Sequence, residues 1–150
     1  MSDVEHPLVT DSNLEEKWGD SVNAGFVVIP SALLLHQNEL KLDSGEVVVL
    51  MNLLMAWWKV GDLPFPRTST IAKRMGINLR TVQRCIESLE KKRLIKRLKN
   101  LERSDSNRVF TRYDLSGIVS ELKRLGKVGH PSRKKNVNLV ITEKSQHGEQ

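Results

Sequence analysis

Residues 65–97, FPRTSTIAKRMGINLRTVQRCIESLEKKRLIKR, constrain the fold more than any other part of the chain. Ile71 and Ala72 supply the apolar face of a first short helix that stops at Gly76, where a left-handed backbone favours glycine. Asn78 can then cap a second helix by accepting from its free amides. In that helix Val82, Cys85, Ile86 and Leu89 fall at i, i+3, i+4 and i+7, so one stripe is apolar and calls for burial. The opposite face carries Arg80, Thr81, Gln83, Arg84 and Glu87. Arginine and glutamine suit bidentate reading of guanine and adenine edges in the major groove, and threonine can bond phosphates. A charged, solvated helix on an ordinary helical domain would have the same amphipathicity. The register of Ala72, Gly76 and Val82, followed by a basic hairpin, favours nucleic-acid binding.

The hairpin is read from two β-compatible runs, Leu94–Leu98 and Arg108–Tyr113, separated by the turn cluster Ser104, Asp105, Ser106 and Asn107. A basic hairpin directly after a recognition helix makes a winged helix. Arg97, Lys99, Arg103 and Arg108 are placed to touch phosphates or enter a neighbouring minor groove, while Leu94, Ile95, Val109 and Tyr113 pack. A hairpin that only closes the core, with its charges in solvent, is the competing reading. Lys91, Lys92 and Arg93 sit where cations favour the negative end of the helix dipole, so some of this charge serves stability.

Charge is distributed unevenly. The net charge is +6, yet residues 1–24 hold six acids against one base and residues 67–103 hold twelve bases against three acids. Such a contrast suits a chain that docks a polyanion with one region and keeps another away from it. At 150 residues the chain matches one domain with tails. The single cysteine, Cys85, excludes an intrachain disulfide and fits a reducing compartment. On the apolar stripe it acts as a small hydrophobe, with a reactive thiol beside Arg84 as the minor alternative. No long apolar run opens the chain, and Val47–Trp58 is broken by Asn52 and spans twelve residues, short of the roughly 20 a bilayer requires. A cytoplasmic protein with no membrane contact is expected.

Around this centre, residues 1–24 read as an acidic, patternless, flexible arm with Trp18 as its only large anchor. Gly25–Ile29 favours a β conformation, and Ser31–Gln37 reads as a short helix. Asp43 and Glu46 match a capping box at the head of a helix running from Ser44 to about Lys59, apolar almost all round and therefore central. Its Val47, Val48 and Val49 leave a strand alternative for the first turn. Gly61, Pro64 and Pro66 end it. Trp57 and Trp58 invite base stacking, but core or dimer contact is favoured, with at most one ring facing the deep core. Leu115, Ile118, Val119, Leu122 and Leu125 share a helical face that covers its own domain or forms a dimer seam. Gly126, Gly129 and Pro131 break that helix. Arg133–Lys135 form a basic cluster, Val137, Leu139 and Ile141 alternate as a short strand would, and the last nine residues read as disordered.

Catalysis has no support. His6, His36, His130 and His147 lack metal-ligand spacing with Cys85, no nucleophile motif occurs, and there is neither a P-loop nor a dinucleotide glycine signature. No cofactor or metal is expected.

The segments GFVVIPSALL, PFPRTSTIAKRMGINLRTVQR, LEKKRLIKR and YDLSGIVSELKRL, with the AWW helix end, resemble the small bacterial helix-turn-helix proteins related to the N-terminal domain of phage replication protein O. The resemblance covers about residues 18–125, and RTVQR (Arg80–Arg84) and YDLSG (Tyr113–Gly117) are its most specific parts. It implies a winged helix and DNA binding in transcription control or at replication origins of mobile elements, with Arg80, Thr81, Gln83 and Arg84 on the recognition surface. Arg67 departs from the pattern, since the family usually has Ser or Lys after Phe-Pro, which moves the expected cap of the first helix to Thr68.

The expectation is therefore an α+β, mainly α, winged helix-turn-helix with a β-hairpin wing and an additional C-terminal helix. Residues 1–24 form the arm, 25–125 the DNA-binding domain and 126–150 a basic, largely disordered tail. Arg80, Thr81, Gln83 and Arg84 read bases of double-stranded DNA from helix 79–92. Thr68, Ser69, Lys73, Asn78, Arg97, Lys99, Arg103 and Arg108 hold the backbone. The chain is read as a non-enzymatic transcriptional regulator acting as a homodimer, since one small module buries little DNA. The alternatives are a replication accessory protein that binds an origin and recruits a partner through the acidic arm, and a winged helix that binds protein instead.

Overall fold

The computed structural model describes residues 12–101 and 109–127. In chain order it contains α1 (Ser12–Trp18), a 3-10 helix (Gly19–Ala24), α2 (Ser31–Leu35), α3 (Ser44–Met55), α4 (Thr68–Met75), α5 (Leu79–Lys91), strands β1 (Lys96–Leu101) and β2 (Val109–Asp114), and α6 (Ser116–Gly126). The result is a mainly helical α+β arrangement of winged-helix type, with one two-stranded antiparallel hairpin.

The core follows the apolar stripes. Leu33 of α2, Val49, Leu50 and Leu53 of α3, Ile71 and Ala72 of α4, and Val82, Cys85, Ile86 and Leu89 of α5 pack into one cluster. Leu40, Leu94, Ile95, Tyr113, Leu115, Ile118, Leu122 and Leu125 complete it. Helix α5 lies against both α3 and α4, and α6 against α2. The Leu115–Leu125 face is thus used inside its own domain, with Val119 half-buried.

Local chemistry sets the helix ends. Asp43 Oδ1 accepts from Glu46 N at 2.8 Å and Glu46 Oε2 accepts from Asp43 N at 2.9 Å, the expected capping box. With those amides satisfied, Val47, Val48 and Val49 are helical and the strand alternative loses. Helix α3 ends at Met55, earlier than the expected Lys59, because its last apolar positions leave the stripe the core can cover: Trp57 is partly buried and Trp58 is 74 % exposed. Helix α4 starts at Thr68 with Arg67 as its N-cap and no side-chain cap bond, so Thr68 is the first helical residue and not the cap. It closes on Gly76 at φ 65°, with Ile77 N donating to Ala72 O at 3.1 Å, a Schellman ending. Helix α5 closes in the same way on Arg93, at φ 59°, with Leu94 N donating to Leu89 O.

Two expectations about extended or irregular chain are corrected. Gly25–Ile29 belongs to no sheet, because its four β-favouring residues, Phe26 to Ile29, have no neighbouring strand to pair with. Residues 12–24, expected to be patternless, are helical, consistent with the helix-favouring run Leu14–Lys17. The hairpin strands begin and end slightly later than expected, pairing Lys96 with Asp114 through Leu101 with Val109. Leu94 and Ile95 serve as buried residues before β1. The turn cluster 104–107, Arg103, Arg108 and everything after Lys127 lie outside the described residues.

Candidate nucleic-acid interface

The Schellman turn at Gly76 delivers the chain directly into α5, whose start Asn78 caps by accepting from Arg80 N at 2.8 Å. The apolar stripe of α5 is buried completely or nearly so, which fixes the rotation of the helix and leaves Arg80, Thr81, Gln83, Arg84 and Glu87 exposed. All four residues expected to read bases therefore share one solvent-facing surface. Asn78 spends its carbonyl oxygen on the cap, so its place beside that surface is structural first.

The expected backbone contacts divide. Ser69, Lys73 and Lys99 are exposed and Thr68 is half-buried at the head of α4. Arg97 is different, because Glu90 accepts from its backbone N at 2.9 Å and from its Nε at 2.7 Å. This contact straps β1 to the last turn of α5. The hydrogen bond to Arg97 holds the Glu90 carboxyl below the usual range despite some burial, and reciprocally raises Arg97. Arg97 is thus engaged by a carboxylate and is not an open cation on the wing, which the seven-residue separation of the pair gave little means to anticipate.

A second strap joins α5 to α3. Lys92 Nζ lies 2.6 Å from Glu46 Oε2 and 2.6 Å from Lys41 O, with Glu46 only 2 % exposed. Burial alone would raise Glu46, but hydrogen bonds from Lys92, Ser88 and Asp43 outweigh it and hold the carboxyl below its ordinary value. The same residue closes the α3 cap, so one carboxylate ties the N-terminus of α3 to the end of α5. Cys85 sits behind this junction. Burial first, then the carboxylates of Asp43 and Glu46, push its thiol up, the opposite of what a reactive cysteine requires.

The wing meets the head of α4 through an aromatic cluster that sequence reading did not assemble. Tyr113 N donates to Pro64 O at 2.9 Å, which aligns residues 64–66 along the free edge of β2. Phe65 and Phe110 then meet edge to face at 6.3 Å, and the Arg112 guanidinium lies 5.5 Å from the centre of the Phe65 ring. Phe110 and Arg112, two apart on a strand, share a face. That periodicity was the available signal, but nothing in the sequence brings Phe65 to it.

Among the described residues no helix is long and apolar enough to cross a membrane. The family model of the DnaD N-terminal domain matches residues 29–130. The crystal structure of the N-terminal domain of DnaD protein from Geobacillus kaustophilus HTA426 is similar in fold, with a TM-score of 0.51 and 23 % identity over 75 % of this chain and 90 % of that chain. No curated protein sequence matches.

Proposed function

The chain belongs to the DnaD N-terminal domain family, and from that premise we propose that it is a DNA-binding replication accessory protein that docks duplex DNA through α5. Membership favours this reading over transcription control, the first expectation from the sequence. The resemblance to the N-terminal domain of phage replication protein O points the same way. The observation that carries the DNA contact is the exposed Arg80, Thr81, Gln83 and Arg84 face on a helix whose opposite side is locked in the core.

In this reading Arg80, Gln83 and Arg84 meet base edges in the major groove and Thr81 bonds phosphate. Glu87, one turn on, repels phosphate and sets the far limit of the contact. Ser69, Lys73 and Lys99 hold the backbone on either side, joined by Thr68 at the head of α4, while Arg103 and Arg108 continue the basic character of the wing in sequence. Arg97 is removed from the set by Glu90. The acidic arm is left for a protein partner, since it would be repelled by the same polyanion.

The test is selection of bound sequences from a random duplex pool, run beside an Arg80→Ala, Arg84→Ala variant. An enriched motif that the variant loses, and that recurs in an origin, is the expected outcome. Arg84→Ala alone should weaken the selected site by about 1–3 kcal/mol relative to random DNA. Equal losses on both DNAs would remove the base-reading role, and a motif confined to a promoter would return the chain to transcription control.

A further inference from the structure

Two hollows meet at Pro66 and Arg67 and form one trough past the head of α4. The first, about 700 Å³, lies between α4 and β2 and is walled by Phe65 and Phe110. The second, about 370 Å³, lies between the end of α3 and α4 and is walled by Trp58 and Arg74. Neither hollow has a carboxylate in its lining among the described residues.

Apart from Tyr113, which belongs to the core, the rings here are open to solvent at least in part. Trp58 is 74 % exposed and Phe65 is 56 % exposed, although the core of the domain lies within reach of both segments. Arg67 sits where the two hollows join, Arg74 lies beside Trp58 with its guanidinium 3.4 Å from Asn52 Oδ1, and Arg112 stacks at Phe65. We propose that this trough binds single-stranded DNA, with Trp58 and Phe65 stacking on bases and Arg67 and Arg74 tracking the phosphates.

Charge and shape choose this occupant over others. A duplex keeps its bases stacked on one another and offers their edges, so it has no use for exposed ring faces. An unpaired strand offers π-faces and a phosphate chain together, which is what a row of rings alternating with guanidiniums accommodates without reading sequence. An apolar peptide would match the rings but leave the guanidiniums of Arg67 and Arg74 facing it. The trough uses none of the residues assigned to base reading on α5 and meets the proposed duplex contacts at Thr68 and Ser69 in its wall, so its rings and arginines make a second, adjoining DNA surface, and a replication protein that held both would engage a boundary between paired and unpaired DNA.

The experiment measures binding of the full chain to a labelled short oligothymidylate, which does not pair with itself, and in parallel to a duplex. Trp58→Leu and Phe65→Leu keep apolar bulk, and thermal melts check that each variant folds; Arg67→Ala, on the exposed surface, serves if either does not. Each should weaken oligothymidylate binding about tenfold and leave duplex binding within twofold, while Arg80→Ala, Arg84→Ala should do the reverse. Oligothymidylate affinity unchanged in all three trough variants, or lost only in the α5 variant, would overturn the trough as the site. Absence of oligothymidylate binding by the unaltered chain at low salt would also overturn it and mark the trough as a protein-facing surface, whatever the duplex result.

Discussion

Glu46 is the residue on which the helical frame turns. Its carboxylate is almost fully buried, caps α3 and pairs with Lys92 from the end of α5. Removing one member of such a pair leaves the other desolvated without compensation, which is the costly event. The folded carboxyl titrates below its ordinary value of 4.5, so its stabilisation is fully present above that pH and is lost as pH falls through the lower, folded value. Glu46→Gln should therefore cost about 1.5–3 kcal/mol near pH 7, and the difference from the parent should shrink toward pH 3. Urea melts at the two pH values check this, and a gap that stayed constant would mean the charge contributes nothing. Cys85, beside this junction, was readable as a buried hydrophobe from its place on the apolar stripe. Glu46 was readable as a cap, but not as half of an ion pair, because its partner lies 46 residues away.

At the scale of elements, helix ends carry the architecture. Two helices finish in the same left-handed turn, one with glycine at position 76 and one with arginine at position 93. A Cβ at Gly76 meets open space, so Gly76→Ala adds only backbone strain, about 1–2 kcal/mol. Arg93→Gly relieves the same strain and should be neutral or stabilising by up to about 1 kcal/mol. Gly117 is of another kind, because a Cβ there would lie 2.1 Å from Arg93 O and 2.8 Å from Leu94 O. The first turn of α6 rests directly on the chain leaving α5, and Ile118 N donates to Leu94 O at 2.7 Å. Gly117→Ala should therefore cost about 3 kcal/mol or more, as overpacking against rigid backbone. Thermal melts ranking Gly117→Ala well below Gly76→Ala, with Arg93→Gly highest, are expected; equal losses at the two glycines would refute the close contact. The YDLSG segment, specific at the level of sequence, thus has a physical reason for its glycine.

Across the whole molecule, the basic segment and the exposed apolar surface make separable predictions. Lys99→Ala should weaken binding to any duplex and lower the salt dependence by about one phosphate contact. Arg97→Ala should leave that slope nearly unchanged and instead cost stability of about 1 kcal/mol, since its guanidinium serves Glu90. Titrations at several salt concentrations, with a melt for each variant, separate the two. The apolar face of α6, one of the two places where a dimer seam was expected, is used within the domain. A cleft of about 520 Å³ lined by Leu14, Trp18, Val22 and Val28 leaves apolar surface open, with Trp18 57 % and Val28 71 % exposed. If the homodimer expected from the sequence forms through this cleft, a Trp18→Ser, Val28→Ser variant should sediment as a monomer and the parent as a dimer; equal sedimentation of the two would remove the cleft from that role.

What the sequence determined by itself is local. The i, i+3, i+4, i+7 stripe of α5, its Asn78 cap, the glycine turn before it and the capping box of α3 all depend on neighbours a few residues apart, so periodicity and hydrogen-bonding chemistry reveal them. The polar face of α5 follows from the same stripe, because burying one side of a helix exposes the other. Only the tertiary structure decided which charges remain open and which are consumed, as with Arg97 on Glu90 and Lys92 on Glu46. It also decided that Trp58, Phe65 and Phe110, spread along the chain, line adjoining hollows with Arg67 and Arg74. These are long-range pairings, in which a side chain's partner is set by how elements pack and not by its sequence neighbours. Gly25–Ile29 makes the same point from the other side: a strand exists only when another strand lies beside it.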